Sequence, residues 1–411
     1  MPKISSKASS IQASPTLAIT AKANQMKAEG KDVVGFGAGE PDMDTPDYIK
    51  AAAIEAIQKG FTKYTPSAGI MDLRKAIADK LAKENGVMVE ASQVVVSNGA
   101  KHSIANVCQA VLNEGDEVII PAPYWVSYPE IVKIAGGKPV IIDTDEEDGF
   151  RIHPQRLDRA IGEKTKLVIL CSPSNPTGAM YNEAQLRELA EVLAKKDVWV
   201  LSDEIYEKLV YGVKHVSIAS LPGMAEKTIT VNGMSKAYSM TGWRIGYAAG
   251  PKDVMKAIDN IQSHAASNPS SISQKAALAA IRGDGKDVEA MRTEFEKRRD
   301  VMIGLLNAIQ GVHCLKPDGA FYAFPNVSKL FGRESAGVAI KNSTDFAAEL
   351  LARQGVAVVP GADFGAPDYI RLSYATDLAS IEKGIKGIAA FCGSLTAPAT
   401  APAAAEGAGA A

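Results

Sequence analysis

Apolar residues recur at intervals of three and four along residues 49–59, 71–85 and 183–195, the spacing of helices with one buried face. Between and around them lie short, almost continuously apolar, β-branched runs at 94–96, 118–120, 140–142, 167–170 and 198–201. Each run is too short for a helix and lacks the alternation of a half-exposed strand. It therefore reads as a strand covered on both faces. Helices alternating with such strands predict an α/β fold: a large domain with a mainly parallel sheet flanked by helices. After residue 285 the texture changes. A long charged helix over 287–309, a strand-like run at 320–324, a helix at 344–354 and strands at 356–359 and 369–373 predict a smaller α+β domain. The expected division is residues 1–45 as an N-terminal segment joining the small domain, 46–285 as the large domain and 286–394 as the small one. Residues 395–411 form an Ala/Pro-rich string, expected to be a disordered tail.

Charge narrows the function classes. The 45 basic and 47 acidic residues of the 411 leave a formal net charge of −2, which argues against a nucleic-acid partner bound by a basic face. No apolar run reaches the roughly 18 residues of a membrane span, and the polar, Ser-rich start lacks the apolar core of a secretory signal. Cys108, Cys171, Cys314 and Cys392 lie far apart, which fits a reducing compartment such as the cytoplasm. The five histidines show no metal-ligand spacing, so no metal is expected.

Candidate chemistry gathers where strands end, the place where open α/β sheets hold ligands. The run 94–96 is followed by Ser97-Asn98-Gly99-Ala100-Lys101 and a helical stretch. Small residues at that turn either serve packing or let the backbone cradle an anion at a helix N-terminus. After 167–170 come Pro173 and Pro176 with Asn175 between them, a rigid turn at least. After 198–201 come Asp203 and, three residues on, Tyr206; an aspartate there is a helix cap or faces a cation. After 228–231 come Ser235 and Lys236, with Arg244 eight residues beyond; a lysine so placed either snorkels to solvent or reaches a ligand. Together these make one inventory. An anion cradle, a lysine able to form a Schiff base and an aspartate able to face a pyridinium nitrogen are what pyridoxal 5′-phosphate requires.

In Gly37-Ala38-Gly39-Glu40-Pro41-Asp42, Tyr64, Tyr124-Trp125, Ser174-Asn175-Pro176-Thr177-Gly178, Asp203-Glu204-Ile205-Tyr206, Ser235-Lys236, Gly242-Trp243-Arg244-Ile245-Gly246 and Arg371-Leu372-Ser373, the chain resembles class I aminotransferases of the fold-type I pyridoxal-phosphate enzymes. It is most similar to the bacterial and plastid branch that holds aspartate and prephenate aminotransferases. Two positions depart from the pattern: Ala100 where relatives often have a second glycine, and Ser174 where they often have asparagine.

The resemblance implies a set of roles. Lys236 would carry the cofactor and move the substrate's Cα proton, with Asp203 on the pyridine nitrogen. Asn175 and Tyr206 would bond the phenolic oxygen, and Trp125 would stack on the ring. Gly99, Ala100, Lys101, Ser235 and Arg244 would surround the phosphate. Tyr64 would reach the phosphate of a neighbouring subunit, implying a homodimer with active sites at its interface. Arg371 and the backbone of Gly39 would hold the substrate's α-carboxylate, with Trp125 and Asn175 beside it. Lys101 and Thr16 would recognise a distal carboxylate. The expected reaction moves an amino group from aspartate or glutamate to a 2-oxo acid. Prephenate amination is the alternative, and a carbon–sulfur lyase or a cofactor-binding regulator without activity is more distant.

Overall fold

A computed structural model describes residues 2–13 and 15–397, apart from the side chains of 15–17. The side chain of Thr16 and the tail from residue 398 therefore lie outside the described residues.

Seven strands form the main sheet: Val94–Ser97, Glu117–Ala122, Lys138–Asp143, Thr165–Cys171, Trp199–Asp203, Thr228–Gly233 and Gly246–Ala249. The spatial order runs from 94–97 through 246–249, 228–233, 199–203, 165–171 and 117–122 to 138–143. All neighbours are parallel except 246–249, which runs against both 94–97 and 228–233. That strand carries no β-branched run, so hydrophobic pattern alone does not reveal it. Its glycine explains its place: a Cβ on Gly246 would overlap the backbone of Gly99 and Ala100. The strand therefore lets the Gly99 turn settle directly on the sheet.

Helices cover both faces, and their apolar sides bury continuous clusters there. Val107, Val118, Ile120 and Ile229 lie in one cluster, and Val168, Leu189, Leu193 and Val200 in another. Among the described residues, no helix is long and apolar enough to cross a membrane.

The later part of the chain builds a three-stranded antiparallel sheet in the order Val359–Pro360, Ile370–Ser373, Tyr322–Ala323. The expected strand over 356–359 is split. Val356–Ala357 instead pairs in parallel with Val34–Gly35 of the N-terminal segment. The low-complexity tail starts later than its composition suggests. Leu395 is a large apolar residue one step past the helix Leu378–Ser394; it is buried, and Thr396 exchanges two backbone hydrogen bonds with Glu334.

Candidate active site

A cavity of about 440 Å³ opens at the carboxyl ends of the central strands, between them and the three-stranded sheet. Its walls include Gly39, Ala100, Lys101, Trp125 and Asn175, and further round Asp203, Tyr206, Ser235, Lys236, Arg244 and Arg371. Residues more than 300 positions apart in the chain thus meet at one site. Gly99 stands just behind the wall at φ +87°, where a Cβ would run into the guanidinium of Arg244. Tyr64 does not line the cavity and is 89 % exposed.

Asp203 ends its strand inside the protein, 4 % exposed. Its Oδ2 accepts from the Tyr128 hydroxyl at 2.6 Å and its Oδ1 from the Ile205 N–H at 3.3 Å. Burial raises its pKa to about 6, against the lowering effects of those two donors and of Lys236. Lys236 donates to the Gly39 carbonyl oxygen. Burial lowers its pKa to about 8; Arg371 and Arg244 push the same way, while Glu40 and Asp203 oppose them. At pH 7 roughly one-tenth of such a lysine is the free amine, far more than for an exposed one.

Arg371 sits in the wall opposite, 2 % exposed, on the strand Ile370–Ser373. It donates to Asn175 Oδ1 at 2.9 Å and to the Gly37 carbonyl at 2.8 Å. Among the described residues its Nε has no partner and no carboxylate forms an ion pair with it, the Asp363 charge acting only from beyond ion-pair distance. A buried cation costs several kcal/mol, roughly, unless an anion meets it; burial lowers the pKa of this one, against the opposing effects of Tyr322, Tyr206 and Asp363. Asn175 accepts from Arg371 through Oδ1, and among the described residues no hydrogen bond from its amide nitrogen is found, so that nitrogen can donate into the cavity.

The turn expected to cradle an anion lies at the start of the helix Ala100–Val111. The helix's first N–H groups lack intrahelical partners there, and Arg244 closes over them, bonded to the Thr241 and Asn98 carbonyls. Ala100 in place of a glycine brings no backbone strain to the turn, because the left-handed position is Gly99. Lys101 places its ammonium 4.8 Å from the centre of the Trp125 ring, and burial followed by Arg244 lowers its pKa.

Sequence reasoning passed over two further wall residues. Tyr128 lies edge-on to Trp125 and holds Asp203. Tyr322 bonds Tyr206, hydroxyl to hydroxyl, at 2.8 Å. A Trp-x-x-Tyr spacing at a helix start and a hydroxyl inside the apolar run 320–324 were the available signals, and both are weak alone.

A lysine, a buried aspartate and a buried arginine thus line one cavity beside a helix start. The family model described as aminotransferase class I and II matches residues 31–388, and the chain belongs to that family. It is 50 % identical over 391 residues to the aspartate aminotransferase of Bacillus subtilis (strain 168), covering 95 % of this chain and 98 % of that protein. It is 48 % identical over 390 residues to the aspartate/prephenate aminotransferase of Cereibacter sphaeroides, covering 94 % and 98 %. Among solved structures, the aspartate aminotransferase of Rhizobium meliloti superposes with a TM-score of 0.93 at 47 % identity, covering 96 % of this chain and all of that one. The Thermus thermophilus aspartate aminotransferase with maleate superposes at 0.90 and 42 % identity, covering 95 % and 100 %.

Proposed function

We propose that the cavity holds pyridoxal 5′-phosphate and that the protein transfers the amino group of aspartate or glutamate to a 2-oxo acid in two half-reactions. The observation that carries this reading is the unpaired, buried Arg371 facing the same cavity as Lys236 and Asp203. The donor set fits the group. The Gly99 turn and Arg244 suit a phosphate, and Asp203 suits a protonated ring nitrogen. When bound, the cofactor supplies an electron sink for the negative charge that develops at the substrate's Cα.

The chain's residues do the rest. Ser235, Arg244 and the backbone at Gly99, Ala100 and Lys101 fix the phosphate end. Asp203, held by Tyr128, keeps the ring-nitrogen proton in place. Trp125 would cover one ring face, and Asn175 and Tyr206 would donate to the phenolic oxygen. Lys236 Nζ would hold the cofactor and, as a free amine, would serve as the base for the substrate's Cα proton. Its depressed pKa suits that role near neutrality. Arg371 takes the α-carboxylate through two parallel hydrogen bonds, with the Gly39 N–H beside it. Lys101 faces the distal carboxylate, so a substrate with an uncharged side chain would leave that cation unpaired. Thr16 is proposed to assist it. Maleate, named with the Thermus thermophilus structure, is likewise a dicarboxylate.

The proposal includes a homodimer in which Tyr64 reaches the phosphate of the partner subunit. In support, Tyr64, Ile54, Ile57 and Met71 are strongly exposed. It includes a division into residues 46–285 and 286–394, which the separate sheets support, and a cytoplasmic location, which four unbridged cysteines support. Prephenate is the second amino acceptor to consider, because relatives are named aspartate/prephenate aminotransferase and Lys101 would serve any distal carboxylate. The test is a half-reaction scan with aspartate, glutamate, arogenate, alanine and phenylalanine, following loss of the aldehyde form of the cofactor. Dicarboxylic donors should react far faster; preference for alanine or phenylalanine would overturn the role of Lys101.

A further inference from the structure

Tyr206 and Tyr322 meet hydroxyl to hydroxyl at 2.8 Å in a buried place, 3 % and 0 % exposed. Among the described residues no other hydrogen bond reaches either hydroxyl. A phenol has one proton to donate. If Tyr206 gives its proton to the cofactor's phenolic oxygen, it cannot also give it to Tyr322. The bond between the two then has only one possible direction.

Surroundings agree with that direction. Arg371 lies 4.5 Å from the centre of the Tyr322 ring, and a cation there makes Tyr322 the readier donor. The other titratable groups near the pair are the Cys171 thiol and Lys236, whose ammonium is 5.9 Å from the centre of the Tyr206 ring. Tyr322 also belongs to a different wall from Tyr206. It lies on the strand paired with Ile370–Ser373, directly opposite Ser373, and a Cβ at Gly39 would come within 3.2 Å of its hydroxyl. Tyr322 thus touches the carboxylate-binding side and the phenolic-oxygen side together.

We propose that Tyr322 is a positioning residue: its hydroxyl donates to Tyr206 Oη, aims the single Tyr206 proton at the cofactor's phenolic oxygen, and ties that bond to the strand bearing Arg371. This rests on the reading of the cavity given above. A donor to Tyr206 polarises it and strengthens the bond it makes in turn. A stronger bond to the phenolic oxygen favours the deprotonated state of the bound chromophore, and so lowers the pH at which its absorbance titrates.

The test is a spectrophotometric pH titration of the loaded wild type, Tyr206→Phe and Tyr322→Phe, with dissociation constants for pyridoxal phosphate and steady-state kinetics alongside. Tyr322→Phe should raise the midpoint by roughly 0.3–1 pH unit, less than Tyr206→Phe does. It should lower kcat several-fold while KM for aspartate stays within about threefold, because the ring under Arg371 remains. Incorporating 3-fluorotyrosine at position 322, a stronger donor of the same shape, should lower the midpoint instead. An unchanged midpoint in Tyr322→Phe beside a shifted one in Tyr206→Phe overturns the proposal, as does a rise with fluorotyrosine. A wild type that binds no pyridoxal phosphate, or a Tyr206→Phe variant that titrates like the wild type, overturns the underlying reading and this inference with it.

Discussion

Asp203 and Glu207 are buried carboxylates four residues apart, and the protein treats them in opposite ways. Burial acts to raise both pKa values. At Glu207, Lys80, His215 and Asn85 outweigh it and bring the pKa down to about 2. Lys80 pairs with Glu207, and Asn85 donates to it at 2.6 Å. At Asp203 the partners are a neutral phenol, a backbone N–H and a more distant lysine, and the pKa stays at about 6. Glu207 belongs to a finished ion network. Asp203 has no cation in direct contact among the described residues, a place that a protonated ring nitrogen would fill on the reading proposed above. Buried charge is thus stabilising where its partners come with the fold and costly where they come with a ligand.

Three experiments sharpen that contrast. The largest effect should come from Lys80→Met, which leaves Glu207 charged and unpaired. We expect a loss of about 3–5 kcal/mol in unfolding free energy by denaturant titration, most of it recovered in the double variant Lys80→Met/Glu207→Leu. An unaffected single variant would mean that Glu207 does not depend on Lys80 for its charge, and would contradict the reading of the pair as part of a finished network.

Next comes the pH dependence of the cofactor-stripped protein. The Asp203 pKa is raised on folding, from 3.8 to about 6, so the folded state binds the extra proton between those values. Its contribution to stability therefore falls as pH rises from about 4 to 6. Glu207 is lowered from 4.5 to about 2, so its contribution is present above pH 4.5 and is lost as pH falls toward 2. Asp203→Asn should stabilise the stripped protein at pH 7 by on the order of 3 kcal/mol while abolishing transamination. Loading pyridoxal phosphate onto the wild type should flatten or reverse the Asp203 slope. A stripped Asp203→Asn protein no more stable than the wild type at pH 7 would contradict the idea of a charge awaiting its partner.

The smallest effect should come from Tyr128→Phe. Losing the 2.6 Å hydrogen bond leaves Asp203 with weaker support and raises its pKa further. The expected cost is about 1–2 kcal/mol in the ionised, stripped protein, with little change below pH 4. Thermal unfolding at pH 4 and pH 7 separates the two.

The sheet and the loops that follow its strands were legible because buried parallel strands leave dense β-branched runs and Gly/Pro-marked ends. The strand Gly246–Ala249 was not, since its Gly-Tyr-Ala-Ala composition answers to the close approach of the Gly99 turn, a contact more than 140 residues away. Asp203, Lys236 and Asn175 stood out as polar residues at the ends of buried runs. Arg371 did not stand out by pattern; only its resemblance to a known motif distinguished it from a surface arginine. Tyr128 and Tyr322 went unread because each works through one hydroxyl on a partner more than 70 residues distant, and no local spacing encodes that. Leu395 shows the reverse error, in which composition averaged over a tail hid one residue that packs.

The central claim is that Lys236 carries pyridoxal phosphate covalently, opposite Asp203. Borohydride reduction of the purified, loaded protein followed by peptide mapping tests it most directly. The account predicts a single phosphopyridoxyl label on the peptide containing Lys236, and none there in Lys236→Ala. A label on another lysine, or no label on the wild type, would contradict it.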